Sequence, residues 1–203
     1  PAVTTRMRSG LPWVRSKLAI SVDGRTALAN GTSQWISGPH SRRDVHRWRA
    51  RSSAVLTGSG TIVDDDPSLN ARREEAGIGA DIGIKQPLRA IIDARLRTPL
   101  AAKTLSLPGE VLVLTSRSVD DPAAAALRAA GARIETVAGT AEHCDLRAVL
   151  VRLAELEIND VWVEAGAGLN GALLQAGLID ELIIYMAPRL LGDAARGMFS
   201  VPA

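Results

Sequence analysis

One cysteine, Cys144, stands in a chain of 203 residues. That excludes an internal disulfide framework and a cysteine-rich zinc site. Tyr185 and Phe199 are the only residues of their kinds, which leaves little for nucleic-acid bases to stack on. The histidines, His40, His46 and His143, lack the i, i+4 spacing of ligands on one helix face. No acidic residue is placed to complete a metal site with them. No apolar run approaches the ~18 residues of a membrane span, and the opening PAVTTRMRSG has no signal-peptide core. The G-x-S-x-G elbow, a cysteine–histidine nucleophile pair and the H-x-E and P-C-x-x-C signatures of zinc deaminases are missing. These absences leave hydride or proton chemistry in a cytoplasmic protein that uses no metal, nucleic acid or membrane.

The chain does have arginine: 21 against three lysines, for a net charge of +2 and a pI of 9.2. A guanidinium fork suits phosphate, although for most of these arginines compositional bias of the genome is the simpler account. The hydrophobic fraction of 46% and charged fraction of 23% are ordinary for a globular domain. Alternation predicts a strand over 13–22, with Asp23-Gly24 turning the chain. A helix is expected over 39–51 and a short buried strand over 54–57. Strands follow at 88–93 and 111–115, a helix at 121–130, a strand at 132–137 and a helix at 146–156. A strand at 161–164, a helix at 170–176 and a strand at 182–187 complete the pattern. Residues 73–87 are polar and without periodicity, which reads as a mobile surface insertion. The alternation predicts one α/β domain with a largely parallel sheet covered on both faces.

Two small-residue loops follow strands, at 58–61 and 165–168, and both are expected at one crevice on the carboxyl ends of the sheet. The second belongs to VWVEAGAGLNGA at 161–172. Gly166, Gly168 and Gly171 form a G-x-G-x-x-G between strand and helix, the setting in which helix N–H groups meet a phosphate. A Rossmann domain is excluded by position, because that fingerprint belongs in the first βα turn and here only residues 173–203 remain. The bland alternative is a tight turn that needs glycine for packing. Lys17 shares its side of the first strand with Arg15, Ala19 and Ser21, facing either water or a cleft. Glu164 ends a strand beside the phosphate loop and either caps a helix or holds a substrate hydroxyl or amine. Arg49 and Arg72 either clamp a phosphate or are solvated charge. Asp64–Asp66 before Pro67 reads as a capped turn rather than a magnesium site.

Four blocks taken together resemble the reductase domain of the bacterial bifunctional riboflavin-biosynthesis deaminase/reductase. They are VRSKLAISVDGRTA, SQWISG, RRDVHRWRARSSAVLTGSGTIVDDDPSLNAR and NDVWVEAGAGLNGALLQAGLIDELIIYMAPRLLG, at 14–27, 33–38, 42–72 and 159–192. The resemblance implies a dihydrofolate-reductase-like three-layer α/β fold with a mostly parallel central sheet. It implies NADPH-dependent reduction of the ribosyl group of 5-amino-6-(5-phosphoribosylamino)uracil to ribityl, through a ring-opened imine. Carried over, substrate contacts fall on Ser33, Arg49, Leu69, Arg72 and Glu164. Cofactor contacts fall on Ala19, Trp35, Thr61, Asp65, Ala94 and the run Gly166, Ala167, Gly168, Leu169, Asn170, Gly171 and Ala172. Lys17, Asp23 and Glu164 are the expected catalytic residues. Residues 1–11 resemble the junction behind a deaminase domain, and 12–203 the reductase domain, short of the family's last strands. A homodimer is expected.

Competing expectations are a reductase acting on the diamino-pyrimidinone form before deamination, a non-catalytic nucleotide-binding module, and an arginine-rich RNA binder working through 41–51.

Overall fold

The computed structural model describes residues 2–31 and 38–201; Ser33 and Trp35 lie outside the described residues. In chain order the elements are α1 (Ala2–Ser9), β1 (Trp13–Ser21), β2 (Arg25–Ala27), α2 (Pro39–Arg51), β3 (Ala54–Gly58), α3 (Ser59–Asp65), the single turn α4 (Arg73–Ala76) and β4 (Leu88–Ile92). There follow the single turn α5 (Lys103–Ser106), β5 (Val111–Thr115), α6 (Pro122–Ala129), β6 (Arg133–Thr136), α7 (Leu146–Glu155), β7 (Asp160–Val163), α8 (Ala167–Gln175), β8 (Glu181–Ala187) and β9 (Arg196–Gly197).

Seven strands form one sheet in the order β6-β5-β4-β3-β7-β1-β8, and every neighbouring pair is parallel. Parallel neighbours need crossovers, so helices cover both faces. One layer packs Val149, Leu150 and Leu153 of α7 and Leu173 of α8 on Ala54, Leu56, Leu112, Leu114, Val161 and Val163. The other packs Val45 of α2, Ile62 of α3 and Leu127 of α6 on Val55, Ile91, Val113 and Trp162. Alternate residues of each strand thus serve opposite layers, the period-2 rule acting on strands that are buried on both sides. Local signals start the helices where expected. Pro122 opens α6 behind Asp121, whose carboxylate accepts the Ala123 N–H, and Asp145 caps α7 through the N–H groups of Arg147 and Ala148.

On the α2 layer, Trp48 stacks on the fully buried Trp162, with centroids 5.3 Å apart and rings 7° from parallel. The Arg51 guanidinium lies over the outer ring, 4.3 Å from its centroid.

The structure corrects three sequence expectations and adds a pair of strands. α8 begins at Ala167, not at residue 170, because Gly166 is its N-cap in extended conformation and glycines in a first turn do not prevent a helix that packs. Residues 58–61 are not a loop, since Ser59 opens α3. The segment 73–87 contains α4, which docks on α2 and ends at Gly77 with φ +65°. β2 and β9 form a small antiparallel ribbon too short to carry a periodic signal.

Candidate active site

Glu164 directly follows β7, and its N–H donates to the Leu56 carbonyl at 2.9 Å. That fixes its carboxylate on the α2 side, where Arg49 grips it with Nε to Oε1 at 2.6 Å and Nη2 to Oε2 at 2.8 Å. The Trp162 indole N–H adds a bond to Oε1 at 2.9 Å. Burial alone would push this carboxyl up. The Arg49 charge and its hydrogen bonds, with Lys17 and the Trp162 N–H, outweigh burial and hold it at about 2. Glu164 is therefore a permanent carboxylate and a poor proton acceptor near neutrality. A lone pair on Oε2 remains for a ligand hydroxyl.

Lys17 lies in mid-β1, in register with Ile183 of β8, and its charge reaches Glu164. Lys17 makes no hydrogen bond or ion pair among the described residues. A cation with free donors thus stands beside a neutralised carboxylate–guanidinium pair. Tyr185, also on β8, donates to Asp44 of α2 at 2.7 Å and ties the strand to the helix; burial and Asp44 raise its pKa.

A strap over 69–72 faces α2. Leu69 is buried at φ +53°, a left-handed conformation that an ordinary side chain occupies only when held. Arg49 Nη1 donates to the Asn70 carbonyl at 3.1 Å. Gln86 accepts the Ala71 N–H at 3.0 Å and donates to the Ala71 carbonyl at 2.8 Å. His46 Nδ1 accepts the Arg72 N–H at 3.2 Å. An accepting Nδ1 puts the proton of a neutral ring on Nε2, which meets Glu75 Oε2 at 2.8 Å. Glu75 in turn pairs with Arg72 Nη1 at 2.8 Å. Burial, then Arg49, lowers the His46 pKa and favours that neutral ring.

Asp23 stands apart from this cluster. Roughly 13 Å of strand separates Lys17 from Ser21 at the end of β1. There Asp23 accepts from the Ser21 hydroxyl and from the N–H groups of Leu191 and Gly192. Chiefly through the Ser21 hydroxyl, its carboxyl lies at about 2. In this arrangement Asp23 brackets the β1 turn to the segment after β8.

Glu164 is followed within two residues by the N-terminus of α8. Gly166 offers no side-chain cap, so the N–H groups of Ala167, Gly168 and Leu169 have no partner within the helix. A Cβ built on Gly166 or Gly168 would meet nothing within 4 Å, so the approach to these amides is open. A Cβ on Gly58 would lie 3.5 Å from Leu169, which brings the β3–α3 junction, with Thr61 and Asp65 on α3, beside this helix end. Partial desolvation and the adjacent Asp64 raise the Asp65 carboxyl. Ala94 lies just past β4, its carbonyl bonded to the hydroxyls of Thr115 and Ser116. Ala19 is half-buried on β1, in register with Tyr185. This crest of strand ends offers unpaired backbone amides to an anionic group.

Two members of the glycine run point elsewhere. The Asn170 side chain is buried, accepting from Ser16 Oγ at 2.7 Å and donating to the Ala165 carbonyl at 2.8 Å. A Cβ on Gly171 would fall 2.3 Å from the Ser200 carbonyl oxygen, so this glycine admits the backbone of residue 200. The packing reading therefore holds for the third glycine, and the open approach for the first two. Among the described residues no group of histidine, cysteine, aspartate or glutamate is arranged to hold a metal ion. Sequence reasoning missed His46, Gln86 and Tyr185. His46 is one helical turn before Arg49, a spacing that could have been read as a shared face.

The family described as the RibD C-terminal domain matches residues 12–202. The riboflavin biosynthesis protein RibD of Escherichia coli is 42% identical over 97% of this chain and 54% of its own length. That of Haemophilus influenzae is 43% identical over 97% of this chain and 52% of its own. The chain thus spans about half the length of these relatives. A solved structure of Acinetobacter baumannii RibD superposes with a TM-score of 0.81 at 41% identity, covering 98% of this chain and 52% of that one. The Saccharomyces riboflavin biosynthesis reductase Rib7 superposes with a TM-score of 0.71 at 21% identity over 97% of this chain and 81% of its own, a likeness of fold.

Proposed function

The chain belongs to the RibD C-terminal domain family and has its dihydrofolate-reductase-like three-layer fold, and from that premise we propose that it is a riboflavin-pathway reductase. Its substrate is 5-amino-6-(5-phosphoribosylamino)uracil, whose ribosyl group it reduces with NADPH. The observation that carries the reading is the free Lys17 cation beside the Arg49–Glu164 pair, two residues upstream of an open helix N-terminus.

In this reading Lys17 presents a proton at Nζ to the ribose ring oxygen as the C1′–O bond breaks and the imine forms. Glu164, kept ionised by Arg49, accepts a ribose hydroxyl through Oε2 and orients the sugar rather than moving protons. Arg72, beside the cleft, holds the substrate phosphate, so binding at a remote group positions C1′. When bound, NADPH supplies the hydride that C1′ takes up. The amides of Ala167, Gly168 and Leu169 take its phosphates, and Gly166 and Gly168 leave room for them. Asp23 supports the turn that closes this end of the site.

The relatives' extra length supports a parent protein with a deaminase domain joined through residues 1–11. The apolar Leu182, Ile184 and Met186 exposed on edge strand β8 support a homodimer. The unpaired, buried Cys144 fits a reducing compartment such as the cytoplasm.

Loss of nicotinamide absorbance, measured with the uracil substrate and separately with the diamino-pyrimidinone, tests the reading. Turnover of the first is expected. Turnover of only the second moves the reaction ahead of deamination. NADPH binding without turnover of either reduces the chain to a nucleotide-binding module.

A further inference from the structure

The strap 69–72 is held almost entirely by side chains. Four consecutive backbone groups, from the Asn70 carbonyl to the Arg72 N–H, are bonded by Arg49, twice by Gln86, and by His46. Gln86 bonds both polar groups of Ala71, as a neighbouring strand would. The strap belongs to no sheet: the left-handed Leu69 anchors its start in the core, the Arg72 carbonyl accepts the Ala76 N–H of α4 at its end, and between these points its polar backbone groups are met by side chains. Its last residue is Arg72, half-exposed, with a guanidinium steadied by Glu75, which His46 also bonds.

We propose that His46 and Gln86 are positioning residues that clamp this strap so that Arg72 is presented to the phosphate of the substrate. The inference rests on the reading above that Arg72 contacts that phosphate. Gln86 acts through the strap backbone; His46 acts through the Arg72 N–H and also meets the Arg72 guanidinium, with Nε2 3.3 Å from Nη2. His46 can do so only as a neutral ring, since a proton on Nδ1 would face the Arg72 N–H donor to donor. The charged groups around it are Arg49 on α2, Arg72 and Glu75 on the strap and α4, and Glu164 after β7.

Amide hydrogen exchange at Ala71 and Arg72 tests the clamp, alongside KM for the phosphorylated substrate and Kd for NADPH. Gln86→Ala should speed exchange at Ala71, and His46→Leu at Arg72, each about tenfold, as expected for one lost hydrogen bond. KM should rise by about the same factor, with kcat and NADPH affinity held. His46→Asn should restore slow exchange at Arg72, because its Oδ1 stands in for Nδ1. Its KM should also lose the rise the parent shows below the ordinary imidazole range. Parental exchange rates in both Gln86→Ala and His46→Leu, or equal losses of substrate and NADPH affinity, would overturn the clamp. Arg72→Ala separates the two readings. An unchanged KM there overturns the assignment of Arg72 to the substrate. A raised KM there, with parental KM in both clamp variants, overturns the clamp alone.

Discussion

The two halves of the candidate site are built from different materials. On the α2 side the site consists of side chains, with Arg49 and Glu164 paired, Lys17 near them, and His46 and Gln86 bonded to the strap 69–72. At the N-terminus of α8 it consists of backbone, with amides exposed because Gly166 and Gly168 have no side chains. The first half places charge by buried ion pairs, which are sensitive to the loss of either partner. The second places charge by peptide dipoles, which no substitution removes but a single methyl group can screen from a ligand. Substitutions of Arg49, Glu164 or Lys17 should therefore damage stability or turnover, and substitutions at the open glycines should damage affinity alone.

The largest expected effect is Glu164→Ala. It strands the buried Arg49 and should cost about 3–5 kcal/mol in denaturant unfolding. The same pair gives the parent a distinct acid limb. The Glu164 carboxyl lies at about 2 in the folded chain, against an ordinary 4.5. Its stabilisation is therefore complete above the ordinary value and is lost as pH falls through the folded one. Glu164→Gln should flatten that limb, and an unchanged acid transition would contradict the ion pair. Next comes Lys17→Ala, expected to lower kcat by about 10²–10⁴ with Kd for NADPH unmoved. Equal losses in both would take Lys17 out of the chemistry.

On the backbone side the effects are smaller and divide the glycine run. Gly171→Ala drives a methyl into the Ser200 carbonyl and should cost about 1–3 kcal/mol, readable as a lowered Tm. Gly168→Ala has open space and should change stability by no more than about 1 kcal/mol, in the favourable direction. It should nevertheless weaken NADPH binding. If the two alanines behave alike, the division of the run into cradle and packing positions fails.

The same contrast accounts for what the sequence made legible. The strand–helix alternation was readable because buried parallel strands are continuous apolar runs, and Asp121-Pro122 and Asp145 are local start signals. The open start of α8 was legible because glycine at a strand end is itself the signal. The α2 half yielded Lys17, Arg49, Arg72 and Glu164 one by one, each with an equally good surface explanation. Only the fold shows Arg49 reaching across 115 positions to Glu164. His46 has no second ligand at metal spacing, and the partner of its Nδ1 is a backbone N–H, which leaves no mark on composition. Gln86 sits at the end of a segment that reads as featureless, and its two bonds to Ala71 depend on where the chain returns.

The stacked indoles of Trp48 and Trp162 have an optical consequence. Two chromophores 5.3 Å apart and nearly parallel exchange excitation, so their transitions split and give a paired band in circular dichroism. The inner ring is bonded to Glu164 and the outer ring is carried by α2. That band is a label built into the chain, reporting whether the helix is seated on the sheet and whether a ligand has reached the carboxylate beneath it.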